Sequence, residues 1–187
     1  KQENTINLLK RPRFITGQGL TAAEKGTALH RYMQFADYAM AAFNPEEELQ
    51  RLYQLGYFTL EEKESIPLFK LRRFFASSLF AQIQNASKVE REFSFVLQKK
   101  ACEVFGDSIS LQDEFLSVQG MVDCLFGEGD SWTIVDYKTD WISNEEAFIE
   151  RYRPQLVLYR EAVEKSFGQP VKACALYAFS LGKTIWL

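Results

Sequence analysis

The apolar positions of this chain change period near its middle. From Thr21 to Asn85 they recur at helical spacing, and from Val89 onward they alternate or run continuously. Thr21-Ala22-Ala23-Glu24 fits a capping box and predicts a helix from about Ala22 to Ala42. Asn44-Pro45-Glu46-Glu47 is a second start: a cap, a proline at the first helical position and acids at the positive end of the dipole. Thr59-Leu60-Glu61-Glu62 is a third, and Pro67 opens a further helix from Leu68 to Gln84. The second half predicts strands over Glu90–Leu97, Glu114–Phe126 and Trp132–Lys138, with a turn at Gly127-Glu128-Gly129-Asp130. Ser143-Asn144-Glu145-Glu146 reads as another capping box. The helix it starts is expected to break or kink at Pro154 and to resume through Val163 to Gly168. Val171–Phe179 reads as a buried strand. The last strand–helix–strand step predicts a parallel crossover.

Residues 1–20 are polar and weakly patterned, with Lys10, Arg11 and Arg13 around Pro12, and read as a linker or arm; residues 21–187 read as one domain. A chain that starts at Lys1 rather than methionine is expected to be a piece of a longer one. Its 187 residues, 47% apolar and with 16 phenylalanines and 8 tyrosines, suffice for a core without disulfides or metal. The net charge of -3 excludes a basic nucleic-acid coat protein but not an enzyme acting on nucleic acid, because catalytic carboxylates lower the charge of such enzymes. No run reaches the length of a membrane span, and no signal peptide is visible. Cys102, Cys124 and Cys174 are widely spaced in apolar text, which suits core residues of a reducing compartment.

Candidate chemistry centres on Asp136-Tyr137-Lys138. Residues two apart on a strand share a face, so Asp136 and Lys138 project together and Tyr137 points the other way. On these three residues alone, an ordinary ion pair is the simpler reading. The preceding hairpin changes that. With Glu128-Gly129 as a two-residue turn, Asp123 falls opposite Ile134 and becomes a diagonal neighbour of Asp136 on one face. Two carboxylates so placed repel unless a cation lies between them, and hard oxygen donors suit Mg²⁺ or Mn²⁺. A one-residue slip would separate them.

Other positions are more open. Gly120 inside a strand marks either a close approach or a simple bend. His30 is the only histidine. Gly26 lies one turn before it on the same helix face, and a mid-helix glycine costs about 1 kcal/mol, which clearance for a strand, a metal or a phosphate would explain, as would tight packing. Glu92 shares a strand face with Glu90 and Ser94, opposite Phe93 and Phe95, and reads equally as a solvated residue. Gln155 and Tyr159, one helical turn apart, suit a phosphate-facing edge or an exposed one.

Gly26-Thr27-Ala28-Leu29-His30, Arg91-Glu92-Phe93, Gly120-Met121-Val122-Asp123, Asp136-Tyr137-Lys138-Thr139 and Gln155-Leu156-x-x-Tyr159, in this order, resemble the RecB-type nuclease domain of the PD-(D/E)XK superfamily. The flanking text from Arg11-Pro12-Arg13-Phe14 onward looks closest to nuclease domains of the AddA type in bacterial helicase–nucleases. The resemblance implies an α/β, restriction-endonuclease-like fold: a mixed central sheet flanked by helices, with a helical N-terminal half. It implies that His30, Asp123, Asp136 and the backbone carbonyl of Tyr137 hold Mg²⁺ (or Mn²⁺). Lys138 would be the catalytic lysine. Glu92 would support the site or a second ion. Gln155 and Tyr159, with Gly26 and Thr139, would line the DNA path. The implied activity is DNA hydrolysis, as an exonuclease in the processing of double-strand ends for recombinational repair in the bacterial cytoplasm. A helicase motor would feed the single strand, and an AddB-type subunit would be the partner. Related nucleases with an iron–sulfur cluster use four cysteines; with three, none of them clustered, no such cofactor is expected here. An inactive nuclease-like module that binds DNA or a partner is the alternative. A phosphate-binding metabolic enzyme is disfavoured, because no glycine-rich phosphate loop is present.

Overall fold

Six short helices precede the first strand in the computed structural model, which describes residues 19–102 and 114–187. Residues 1–18 of the expected arm lie outside the described residues. The helices are α1 (Ala22–Phe35), α2 (Tyr38–Phe43), α3 (Pro45–Gln54), α4 (Leu60–Ser65), α5 (Leu68–Phe75) and α6 (Ser78–Asn85). Strands β1 (Lys88–Lys100), β2 (Phe115–Glu128) and β3 (Ser131–Lys138) follow. Helix α7 (Glu145–Phe167) and strands β4 (Val171–Ala178) and β5 (Lys183–Trp186) come last.

Both long helices expected in the first half are in fact pairs. The first ends at Phe35, and Asp37 caps a new helix by accepting from the amides of Ala39 and Met40. The second ends at Phe75, and Ser77 caps α6 through Phe80 N. The starts at Thr21, Asn44 and Thr59 form as expected, with full capping boxes at Thr21 and Thr59. Helix α7 departs from expectation twice. Its cap is Asn144, which accepts from Ala147 N, rather than Ser143. It also runs unbroken through Pro154, because Phe148 before the proline and Leu156, Tyr159, Ala162 and Val163 after it are buried against one sheet face.

The sheet order is β1-β2-β3-β4-β5, with β3 and β4 parallel across α7 and the other neighbours antiparallel. One face carries Cys124, Phe126, Val135, Tyr137, Ala175 and Tyr177 against the six N-terminal helices. Phe74 is the hub there, its ring centroid 5.4 Å from that of Tyr137 and 4.8 Å from that of Tyr177. The other face carries Val122, Leu125, Trp132, Ile134, Cys174 and Leu176 against α7. This is the mixed, helix-flanked α/β sheet expected from the sequence, with β5 as an unforeseen edge strand.

The β2–β3 hairpin turns at Gly129-Asp130, with Glu128 opposite Ser131, two residues away from the expected register. Because the shift is even, the faces are preserved. Along β1 the alternation is not preserved. Arg91, opposite Cys124, faces the N-terminal helices, donating from Nη1 to the carbonyls of Met33 and Ala36. Phe93, opposite Val122, faces α7. The reset falls at Glu92, whose φ of 55° is left-handed, so Glu92 does not share one face with both Glu90 and Ser94.

Candidate active site

Beyond Cys124 and Val135 the β2–β3 ladder ends, and the next positions along the same register are Asp123 and Asp136. They therefore lie directly across from one another rather than diagonally. Asp123 Oδ2 accepts from Tyr137 N at 2.6 Å, so a carboxylate takes the place of a ladder carbonyl. Two strands that part around a carboxylate leave their side chains converging on the opening. Asp136 is only 2% exposed. Its Oδ2 has no hydrogen-bond partner, although the Lys138 ammonium stands 2.7 Å away as an ion pair.

The electrostatics follow from burial and like charge. Burial first, and Asp123 second, push the Asp136 carboxyl up to about 6, against the pull of Lys138 and His30. Burial and then Asp123 also raise Glu92 above the ordinary glutamate range. His30, on α1, places Nδ1 at 3.4 Å from Asp123 Oδ1. Burial works against its charged form, but Asp123 and then Asp136 outweigh burial and raise its pKa. The structure thus brings His30, Glu92, Asp123, Asp136 and Lys138 into one electrostatic neighbourhood.

Helix α7 covers this end of β3. Gln155 Oε1 accepts from Lys138 Nζ at 2.9 Å, and Gln155 Nε2 donates to the Tyr159 hydroxyl at 2.6 Å. Tyr159 packs edge-on to Phe95. The Phe95 ring lies over Gly120, where a Cβ would come within 2.5 Å of it; close approach, not a bend, explains that glycine. At Gly26 a Cβ would lie 2.8 Å from Thr139 Oγ1, so the clearance there admits the end of β3. The Tyr137 side chain goes to the opposite face, where its hydroxyl meets that of Tyr38 at 3.1 Å.

Sequence reasoning missed Tyr152 and Asp140. The Tyr152 ring lies under the Lys138 ammonium, 4.1 Å from Nζ to the centroid, and its hydroxyl bonds Asp140 Oδ2. Tyr152 is three residues before Gln155 and seven before Tyr159, on one face of α7; that spacing was the available signal.

The donor set tests well for a divalent ion. It combines hard carboxylate oxygens and an imidazole around a buried oxygen that lacks a hydrogen-bond donor. Among the described residues, no group of three His, Cys, Asp or Glu side chains stands in a ready metal-holding arrangement. Small movements of His30 and Glu92 toward the carboxylate pair are therefore part of the fit.

Buried paired acids and a lysine at the open end of a mixed sheet are an arrangement for phosphodiester hydrolysis. Residues 6–184 match the family model of the PD-(D/E)XK nuclease superfamily, and the chain belongs to that superfamily. Its nucleases use divalent metals. The more particular likeness is to the A subunit of the ATP-dependent helicase/nuclease from Desulforamulus reducens, which is 37% identical over 182 residues, covering 94% of this chain and 14% of that protein. The proteins of the same name from Bacillus mycoides and Bacillus cytotoxicus are 37% and 35% identical over 180 residues, covering 90% of this chain. The chain spans 14% of the length of these relatives. Among the described residues no helix is long and apolar enough to cross a membrane.

Proposed function

We propose that this chain is a Mg²⁺- or Mn²⁺-dependent deoxyribonuclease, the exonuclease module of an ATP-dependent helicase–nuclease that processes double-strand DNA ends for recombinational repair. The observation that carries the reading is the buried Asp136 carboxylate, with one oxygen lacking a hydrogen-bond donor, beside Asp123 and Lys138. His30, Asp123, Asp136 and the Tyr137 carbonyl would hold the ion, and Glu92 would support them or a second ion. When bound, the ion polarises the scissile phosphate and lowers the pKa of the attacking water.

The chain's own residues do the rest. Asp123 and Asp136 hold their negative charge in a partly dry pocket, where a cation is favoured. Lys138 keeps a positive charge beside the phosphate and offsets the charge that grows on its oxygens. Gln155 and Tyr159 hold Lys138 in place and line the path of the strand, together with Gly26 and Thr139. The relatives' name supports a motor that feeds a single strand, a bacterial cytoplasmic setting and a partner of the AddB type.

The test is degradation of an end-labelled single-stranded oligonucleotide by the intact protein. Cleavage should require Mg²⁺ and stop on addition of EDTA. Binding of the strand without cleavage at any Mg²⁺ concentration would identify an inactive module instead.

Gly26→Ala should slow cleavage while leaving the thermal midpoint close to that of the parent. The added methyl presses on Thr139 next to Lys138, and the better helix propensity of alanine, about 1 kcal/mol, offsets the contact. Gly26→Ala combined with Thr139→Ala should cleave faster than Gly26→Ala alone. A double variant no faster than the single one would show that Thr139 is not the obstruction.

A further inference from the structure

The Lys138 ammonium is held from three sides. Asp136 Oδ2 lies at 2.7 Å, Gln155 Oε1 at 2.9 Å, and the Tyr152 ring centroid at 4.1 Å. A cation over an aromatic face is attracted by the ring quadrupole, more strongly where water is scarce. Lys138 has only 13% of its side chain exposed. The ring is itself fixed. The Tyr152 hydroxyl donates to Asp140 Oδ2, and its ring packs edge-on to Phe148 at 5.0 Å. Burial and then this bond push the Tyr152 hydroxyl up to about 12, so it remains a donor at neutral pH. Asp140 lies two residues after Lys138, so one short segment carries both the cation and the anchor of the ring beneath it.

We propose that Tyr152 is a positioning residue for Lys138. It holds the ammonium, through its ring face, at the place where the scissile phosphate develops charge, and Asp140 holds Tyr152. The proposal rests on the nuclease reading, in which Lys138 acts at the phosphate. A flexible four-carbon stem gives a lysine many ways to swing out. The carboxylate alone would draw it down onto Asp136. The ring and Gln155 pull from other directions and fix it between them.

The test uses the intact protein, Mg²⁺ and a labelled single-stranded oligonucleotide. Tyr152→Leu should lower kcat by ~10-fold, the scale of a desolvated cation–π contact, with KM and DNA affinity in Ca²⁺ unchanged. Tyr152→Phe keeps the ring and should recover most of that loss. Phenylalanines with one, two and three fluorines at position 152 drain the ring face stepwise, and log kcat should fall with each. A merely structural aromatic would show no such series, so a flat series overturns the proposal, as does parental kcat in Tyr152→Leu. Acylation of Lys138, read by mass spectrometry, supplies a readout apart from activity: it should be slow in the parent and in Tyr152→Phe, and faster in Tyr152→Leu. Absence of cleavage by the parent overturns the nuclease reading and the catalytic part of the proposal; Lys138 labelling then decides the contact by itself.

Discussion

Lys138→Ala is expected to lower DNA cleavage by ~10²–10³ in kcat, the scale for removing one preorganised electrostatic contact, with little change in DNA affinity. Its ammonium stands within ion-pairing distance of Asp136, at 2.7 Å. In the resting site it offsets two carboxylates; during hydrolysis it would face the oxygens that gain charge. These roles make opposite demands on metal affinity. If Lys138 only balanced Asp136 and Asp123, its removal would strengthen their hold on a divalent cation and leave turnover near that of the parent. If it acts at the phosphate, turnover collapses whatever the metal affinity does. Lys138→Arg sharpens the comparison, because a planar guanidinium keeps the charge but does not fit the space between Gln155 Oε1 and the Tyr152 ring. Calorimetric titration with Mn²⁺ and timed cleavage of an oligonucleotide, on all three proteins, decide the matter. Near-parental turnover in Lys138→Ala would make this lysine structural.

How much of this site could be read from the sequence depended on which interactions are local. Strand parity is local, so Asp136, Lys138 and the opposed direction of Tyr137 followed from position alone. The hairpin shows how parity tolerates error: the turn moved from Glu128-Gly129 to Gly129-Asp130, a shift of two residues, and Asp123 kept its face while gaining a closer partner. The reset at Glu92 was not legible, because a left-handed φ at a glutamate arises from the surrounding structure and leaves no mark in the periodicity. The breaks after Phe35 and Phe75 were legible in principle. Asp37 and Ser77 are good caps, but continuing apolar spacing masked them. Pro154 failed as a breaker for a tertiary reason: a proline's cost is outweighed when both flanks of the helix bury apolar side chains on the same sheet. The roles of Gln155 and Tyr152 around Lys138 depend on a helix and a strand that meet only in the fold, so spacing indicated that they share a face but not what that face covers.

Asp136→Asn should abolish cleavage and, at neutral pH without metal, raise the thermal midpoint. The two effects have one cause. In the folded chain the Asp136 carboxyl is pushed from 3.8 up to about 6 by burial and by Asp123, so its ionised form is held at a cost. A carboxyl raised in the native state binds a proton that the unfolded chain releases, so stability falls as pH rises through that window. The metal-free parent should therefore lose stability between about pH 4 and pH 6 and level off above, by about 1–3 kcal/mol at 1.36 kcal/mol per unit, with Lys138 limiting the loss. The amide has no charge to release, so Asp136→Asn should lack this decline. Addition of Mg²⁺ should then raise the parent's midpoint and not the variant's, since an ion that binds only the folded state stabilises it by mass action. Differential scanning calorimetry at pH 4, 6 and 7.5, with and without Mg²⁺, reads all of this. A variant less stable than the parent at pH 7.5 without metal would mean that the Lys138 ion pair outweighs the repulsion between the carboxylates. The buried charge would then hold the fold together instead of being kept for a cation.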